Sequence, residues 1–243
     1  MRPVRLVRVA VIDSGVHASH PHVNGVAGGV GIDAAGDTHD DFVDRLGHGT
    51  AVTAVIREKA PEAAILSVKV FDRELAATGV ALVAACEWAL QQEADIVNLS
   101  LGTLNADHEA ALRAVVKKLR DAGAVIVAAG PDGESRWLPG ALGGVWSVTL
   151  DWSLPREECR VGVDADGDVT FRAPGFPRPI PGVPPERNLK GLSFAVANVT
   201  GLLAALFSIA VERRNPAEVL SQAMSRGWGR SSSDGAIAPP GTE

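Results

Sequence analysis

Cysteine is nearly absent from this chain, with 2 among 243 residues, too few for a disulfide framework. Cys86 lies in the apolar helical run Val80 to Leu90 and reads as a small buried hydrophobe. A Cys86–Cys159 bridge is not expected in a reducing compartment. A basic surplus is missing too. The formal net charge is −6 and the pI is near 5.5, which argues against a nucleic-acid partner. The apolar stretch within the N-terminal MRPVRLVRVAVIDSG is too short and interrupted for a signal-peptide core, and no later run is expected to span a membrane. These absences point to a soluble cytoplasmic protein with no membrane partner. There is no internal repeat and no P-loop lysine motif. Gly25-Val26-Ala27-Gly28-Gly29 stands between no clear strand and helix, so a nucleotide-binding reading fails.

What is present is apolar and alternating. Hydrophobic residues make up 46% of the chain and charged residues 21%, enough for the core of one large α/β domain. That domain is expected over residues 1–225, with a frayed tail over 226–243. Brief β-branched runs (Val7 to Ile12, Ile65 to Phe71, Ile96 to Leu99, Val125 to Ala129) close on polar residues or glycine. Between them, Thr50 to Glu58, Gly79 to Gln92 and Asp107 to Ala122 carry apolar residues three and four apart, the signature of amphipathic helices. The third is expected to start at a cap on Asn105 or Asp107 and to stop at Gly123. Strands alternating with helices predict a mostly parallel twisted sheet with helices on both faces. In such folds the chemistry gathers beyond the carboxyl ends of the strands.

The later half is less regular. Val145 to Leu150 reads as a strand, and Arg160 to Arg172 as a hairpin turning at Asp166-Gly167. Residues 173–186 are dense in proline and predict a stiff extended loop. Ser193 to Val211 predicts a long central helix.

Three residues stand out as a nucleophile, a base and a group to orient the base. Asp13 follows a buried strand in VAVIDSGV, where a carboxylate can hold a histidine ring and stabilise its imidazolium. Taken alone, such a residue is more commonly a turn or N-cap aspartate. His48, in GHGTAVTAVI, sits between glycines that permit close backbone approach, at the start of a helix. Ser193, in GLSFAVANVTG, starts another helix, where its backbone N–H and the helix dipole face a developing oxyanion. A plain serine cap has the same look. His17, His20 and His22 cluster as HASHPH, but Pro21 breaks helical spacing and no further ligand completes a metal site.

The blocks VAVIDSGV, GHGTAV and GLSFAVANVTG, in the order Asp–His–Ser, resemble the signatures of the subtilisin family. VKVFD, CEWALQQEADIVNLSLG, AGAVIVAAGPDG and the later APG occur in family order, so the resemblance runs from about Val7 to Ser208. It implies a subtilisin-like fold and a serine endopeptidase with Asp13 as orienter, His48 as general base and Ser193 as nucleophile. It further implies that Ser100, Leu101 and Gly102 pair with an extended substrate. Ala128, Ala129 and Gly130 would line the primary specificity pocket, with Asp132 and Glu74 near the cleft.

One departure matters. The family usually places an asparagine after Ala-Ala-Gly as an oxyanion donor, and here that position is Pro131, with neither a side-chain donor nor a backbone N–H. In a subtilisin, loss of that amide costs about 10²–10³ in kcat. Asn188, Asn98 or a shifted backbone N–H are the substitutes to consider. Leu192, Ala197 and Ala51 also depart from the family's usual residues, but none removes a catalytic atom. No cofactor is expected. The resemblance raises structural calcium, for which Asp164-Ala165-Asp166-Gly167-Asp168 is the best candidate, although a hairpin turn accounts for it as well. No propeptide is recognisable. The expectation is a narrow-specificity intracellular processing peptidase that folds unaided or acts with a partner protein. The alternative is a peptide-binding pseudo-protease.

Overall fold

The computed structural model describes residues 6–71, 77–131, 135–184, 187–209 and 215–228. Strand β1 (Arg8–Asp13) shows why the chain folds as it does. Val9 and Val11 enter one core while Ala10 and Ile12 enter a second on the opposite face. A strand buried on both faces must be apolar almost throughout. It pairs in parallel with β4 (Ala64–Lys69) on one side and β5 (Ile96–Leu99) on the other.

With β2 (Gly28–Ile32), β3 (Thr38–His39), β6 (Val125–Ala129), β7 (Trp146–Leu150), β8 (Arg160–Val163) and β9 (Val169–Ala173), the sheet has the order β3-β2-β4-β1-β5-β6-β7-β9-β8. Among the described residues, only the two edge strands, β3 and β8, run antiparallel to their neighbours. Helices α1 (His48–Lys59), α4 (Leu192–Ile209) and α5 (Pro216–Ala223) line one core, and α2 (Gly79–Gln91) and α3 (Glu109–Asp121) the other. This is the predicted α/β architecture. The chain leaves β1 for one flank and returns through α2 to β5 on the other, so β1 marks a topological switch point.

Several expectations shift. Strand β2 reads GGVGI, and glycines weaken a strand signal. They are there for space: a Cβ on Gly29 would come within 2.6 Å of the Phe42 ring, and one on Gly31 would overlap His39. Helix α1 begins at His48 rather than Thr50. Helix α3 begins at Glu109, after a short helical turn whose Asp107 N–H is capped by the Asn105 side chain, and Gly123 follows its end with φ 80°.

Helix α4 is 18 residues long and apolar enough to cross a membrane by length and composition, contrary to the expectation of no such run. It is instead a core helix, with 67% of it buried. Gly201 of α4 lies against the Lys59 side chain, where a Cβ would sit 3.0 Å from the lysine's Cβ. The packed structure also reaches past residue 225. Residues Met224–Trp228 form a helical turn, and Trp228 is buried in the core beside α5, so the tail expected from residue 226 starts too early. Residues 229–243 lie outside the described residues.

Cys86 and Cys159 are free and belong to the two different cores. Burial pushes both thiols up to about 12.

Candidate active site

Asp13 ends β1 with no exposed surface. Its Oδ1 accepts the Ser14 backbone N–H at 2.7 Å and the His48 Nδ1–H at 2.7 Å. Because a carboxylate only accepts, Nδ1 carries the ring proton and Nε2 is left as the basic atom. Among the described residues no donor reaches Asp13 Oδ2.

His48 is the first residue of α1, and the helix is entered through Gly47 in the left-handed conformation (φ 82°). Gly49 must be glycine for a different reason. A Cβ there would overlap the Gly15 carbonyl oxygen and lie 3.2 Å from Asp13 Oδ1. The glycines on either side of the histidine thus turn the chain and let the helix approach the end of β1. Burial opposes charge on the His48 ring. The Asp13 hydrogen bond, the Asp13 charge and the Asp44 charge outweigh it, and the pKa is raised above its ordinary value.

Ser193 is the second residue of α4, where first-turn N–H groups lack intrahelical partners. Its Oγ donates to the Ser100 carbonyl at 3.2 Å. The next residue, Phe194, sets its ring 5.8 Å from that of His48 between centroids. Asp13 and His48 therefore touch directly, and the start of α4 stands beside them. In this structure the serine hydroxyl bonds to Ser100 and not to the imidazole.

Ser100, Leu101 and Gly102 follow β5 and are partly exposed. Leu101 and Gly102 line a cavity of about 290 Å³ with Phe71, Ala77, Leu104 and Trp137. The segment then bonds to another: the Thr103 N–H donates to the Leu138 carbonyl at 2.8 Å and the Leu138 N–H returns the bond at 2.9 Å. Ala128 is fully enclosed in the core shared with α2 and α3, so its side chain is a core methyl rather than pocket lining. Ala129 is half-buried, and the Gly130 N–H bonds to the Val148 carbonyl at 2.8 Å. Asp132 and Glu74 lie outside the described residues.

Pro131 is exposed just beyond β6. Neither asparagine considered as its substitute is free to act. Asn98 is fully buried, donating to Ser100 Oγ at 3.1 Å and accepting from Thr200 Oγ1 at 2.8 Å. Asn188 donates to the Arg178 carbonyl at 3.2 Å and accepts the Leu189 N–H. The proline-rich loop is held from below, where Asn198 Nδ2 donates to the carbonyls of Pro174 and Phe176. Arg178 of that loop and Arg156 both pair with Glu58 of α1.

The remaining candidate ligands are engaged locally. The Asp164 carboxylate accepts the N–H groups of Asp166 and Asp168, and Asp168 accepts that of Gly144, the work of a hairpin turn. His20 Nδ1 accepts the His22 N–H at 3.2 Å. Among the described residues there is no cluster of three or more metal-ligating side chains.

Sequence reasoning missed Asp44. This residue is 8% exposed, and its carboxylate accepts from Ser14 Oγ, the N–H groups of Leu46, Gly47 and Thr50, and Thr50 Oγ1. An acid shortly before a helix whose own cap position is glycine was the available signal.

The model of the subtilase family matches residues 5–150. Subtilisin of Bacillus pumilus is 35% identical over 139 residues, covering 53% of this chain and 49% of that protein. The minor extracellular protease Epr of Bacillus subtilis (strain 168) is 32% identical over 182 residues, covering 70% of this chain and 27% of that protein. Among solved structures, the prenylagaramide maturation protease PagA superimposes with a TM-score of 0.64 at 25% identity, covering 86% of this chain and 79% of that one. A lanthipeptide protease gives a TM-score of 0.62 at 19% identity, covering 83% of this chain and 73% of that one, a likeness of fold. The chain belongs to the subtilase family, the subtilisin-like serine peptidases. The aligned segment spans about half or less of the curated relatives' length, and Ser193 lies beyond the stretch that the family model matches.

Proposed function

We propose that this chain is a serine endopeptidase whose triad is Asp13, His48 and Ser193. The observation that carries the reading is the 2.7 Å contact of His48 Nδ1 with the buried Asp13 carboxylate, at the switch point of the sheet and beside the first turn of α4. In the proposed reaction the Ser193 hydroxyl turns from Ser100 to His48 Nε2. As Nε2 takes the proton, Oγ bonds to the substrate carbonyl carbon. The resulting oxyanion is stabilised by the N–H groups and dipole at the start of α4. Collapse breaks the C–N bond, and the leaving amine takes the proton from the imidazolium that Asp13 stabilises. Water then repeats the sequence on the acyl-enzyme.

With Pro131 where the family's amide donor stands, turnover is slow, which suits a narrow processing role on a peptide or protein. The likeness to a maturation protease supports that role. The setting we propose is cytoplasmic, in keeping with the free thiols. A second reading, a peptide-binding pseudo-protease, draws on the same Pro131 and on the bond of Ser193 to Ser100.

A fluorophosphonate probe followed by peptide mapping separates the two. Covalent labelling at Ser193, lost in Ser193→Ala, is expected of the enzyme. A folded protein that never labels would leave only the pseudo-protease.

A further inference from the structure

We infer that Asp44 is a positioning residue for the His48 base, resting on the peptidase reading above: it caps the helix that presents the ring and supplies a second negative charge to it. Helix α1 has no capping side chain at Gly47 and no acidic residue in its first turn, so its first N–H groups need acceptors from elsewhere. Two residues outside the helix provide them. Ser14 Oγ accepts the Gly49 N–H at 2.9 Å, and Asp44 Oδ2 accepts the Thr50 N–H at 2.8 Å. The two are joined, because Ser14 Oγ donates to Asp44 Oδ1 at 2.9 Å. Ser14 is also the residue after Asp13, whose Oδ1 accepts its N–H.

A single network therefore ties the strand end that carries Asp13 to the helix start that carries His48. Asp44 sits at its centre. Burial works against a charge on this carboxylate, but the donors from Thr50, Ser14 and Gly47 outweigh it and hold its pKa below the ordinary value. It stays an anion where His48 works. The charged groups acting on the ring are Asp13 from β1 and Asp44 from the loop before α1. From α4 the neighbour is the neutral Phe194. Removing Asp44's charge leaves Asp13 as the ring's only anionic support among these.

Asn in place of Asp44 keeps the shape and loses the charge. Its amide also sets donors against N–H groups that need acceptors. The test is Asp44→Asn, read two ways: the His48 ring titration by NMR, and the pH dependence of fluorophosphonate labelling at Ser193. Both limbs are expected to move to lower pH in Asp44→Asn, with labelling at the plateau slower by roughly tenfold, the scale of a lost charged hydrogen bond. Ser14→Ala removes one link and no charge, so it should slow labelling at every pH and leave the limb in place. A folded Asp44→Asn whose His48 titrates as in the parent overturns the inference. If that variant does not fold, Ser14→Ala decides, and labelling at the parental rate overturns it. Failure of the peptidase reading looks different: the unsubstituted chain does not label at all, while the NMR titration still reports on Asp44.

Discussion

On the Asp13–His48 side of the site, most polar atoms are tied into one hydrogen-bond network, Asp13 Oδ2 being the exception. Ser14, Asp44, Gly47, Gly49 and Thr50 all take part, and glycine fills the positions where a methyl group would collide. On the Ser193 side the arrangement is sparse. The hydroxyl rests on the Ser100 carbonyl, Pro131 offers no donor, and Asn98 and Asn188 are committed elsewhere. The His48 ring is anchored by this network, whereas the Ser193 hydroxyl rests on a single carbonyl contact. On the proposed peptidase reading, charge stabilisation at the substrate rather than proton transfer is expected to limit the rate.

That contrast can be broken from either side. The largest effect is expected from Gly49→Ala, which forces a Cβ into the Gly15 carbonyl and separates β1 from α1. Overpacking of this kind costs about 1–3 kcal/mol or more, so urea denaturation should show the loss and Ser193 labelling should nearly vanish. Labelling at the parental rate would mean that the approach of Asp13 to His48 is dispensable.

Next comes Pro131→Asn, which adds an amide where the family has one. If the oxyanion side limits the rate, kcat on a cleaved peptide should rise by up to about 10², measured in steady state. An unchanged kcat would move the bottleneck back to the base. A smaller change is expected of Asn98→Ala, which leaves the buried Thr200 hydroxyl without its acceptor and loosens β5 from α4, at about 1–3 kcal/mol.

The smallest effect is in pH dependence. Asp44 has a folded pKa below 3.8, so its contribution to stability is full above 3.8 and is lost as the pH falls through the folded value. His48 has a folded pKa above 6.5, so its contribution is full below 6.5 and fades as the pH rises through the folded value. Melting temperature against pH should therefore fall at both ends, and Asp44→Asn should flatten the acid end.

Much of this fold was legible because burial dictates composition. Strands such as β1 and β6, enclosed on both faces, have to be apolar, and α3 has a clear polar face. Strand β2 escaped notice because its glycines serve its neighbours Phe42 and His39 rather than its own propensity. Trp228 was read as tail because nothing local distinguishes a tryptophan that docks from one that does not. In the site, Asp13 and His48 were readable from their blocks taken together with that of Ser193 in family order, since each context alone has a blander reading. Asp44 was not, since its importance lies in five donors that only the folded loop brings together. The commitment of Asn98 to Thr200 spans 102 residues of sequence, a distance over which no local pattern operates.

Asp13, Ser100 and Pro131 each stand at or just past the end of β1, β5 and β6, three strands adjacent in the sheet. Adjacent strands lie roughly 4.8 Å apart whatever side chains they carry. The lateral gauge of the cleft is therefore inherited from backbone pairing, which residue exchange does not rewrite. Individual functional positions can be gained or lost one at a time while the frame keeps its dimensions. Pro131 is exposed just past the end of β6, so an exchange at that position is expected to leave the paired strands as they are.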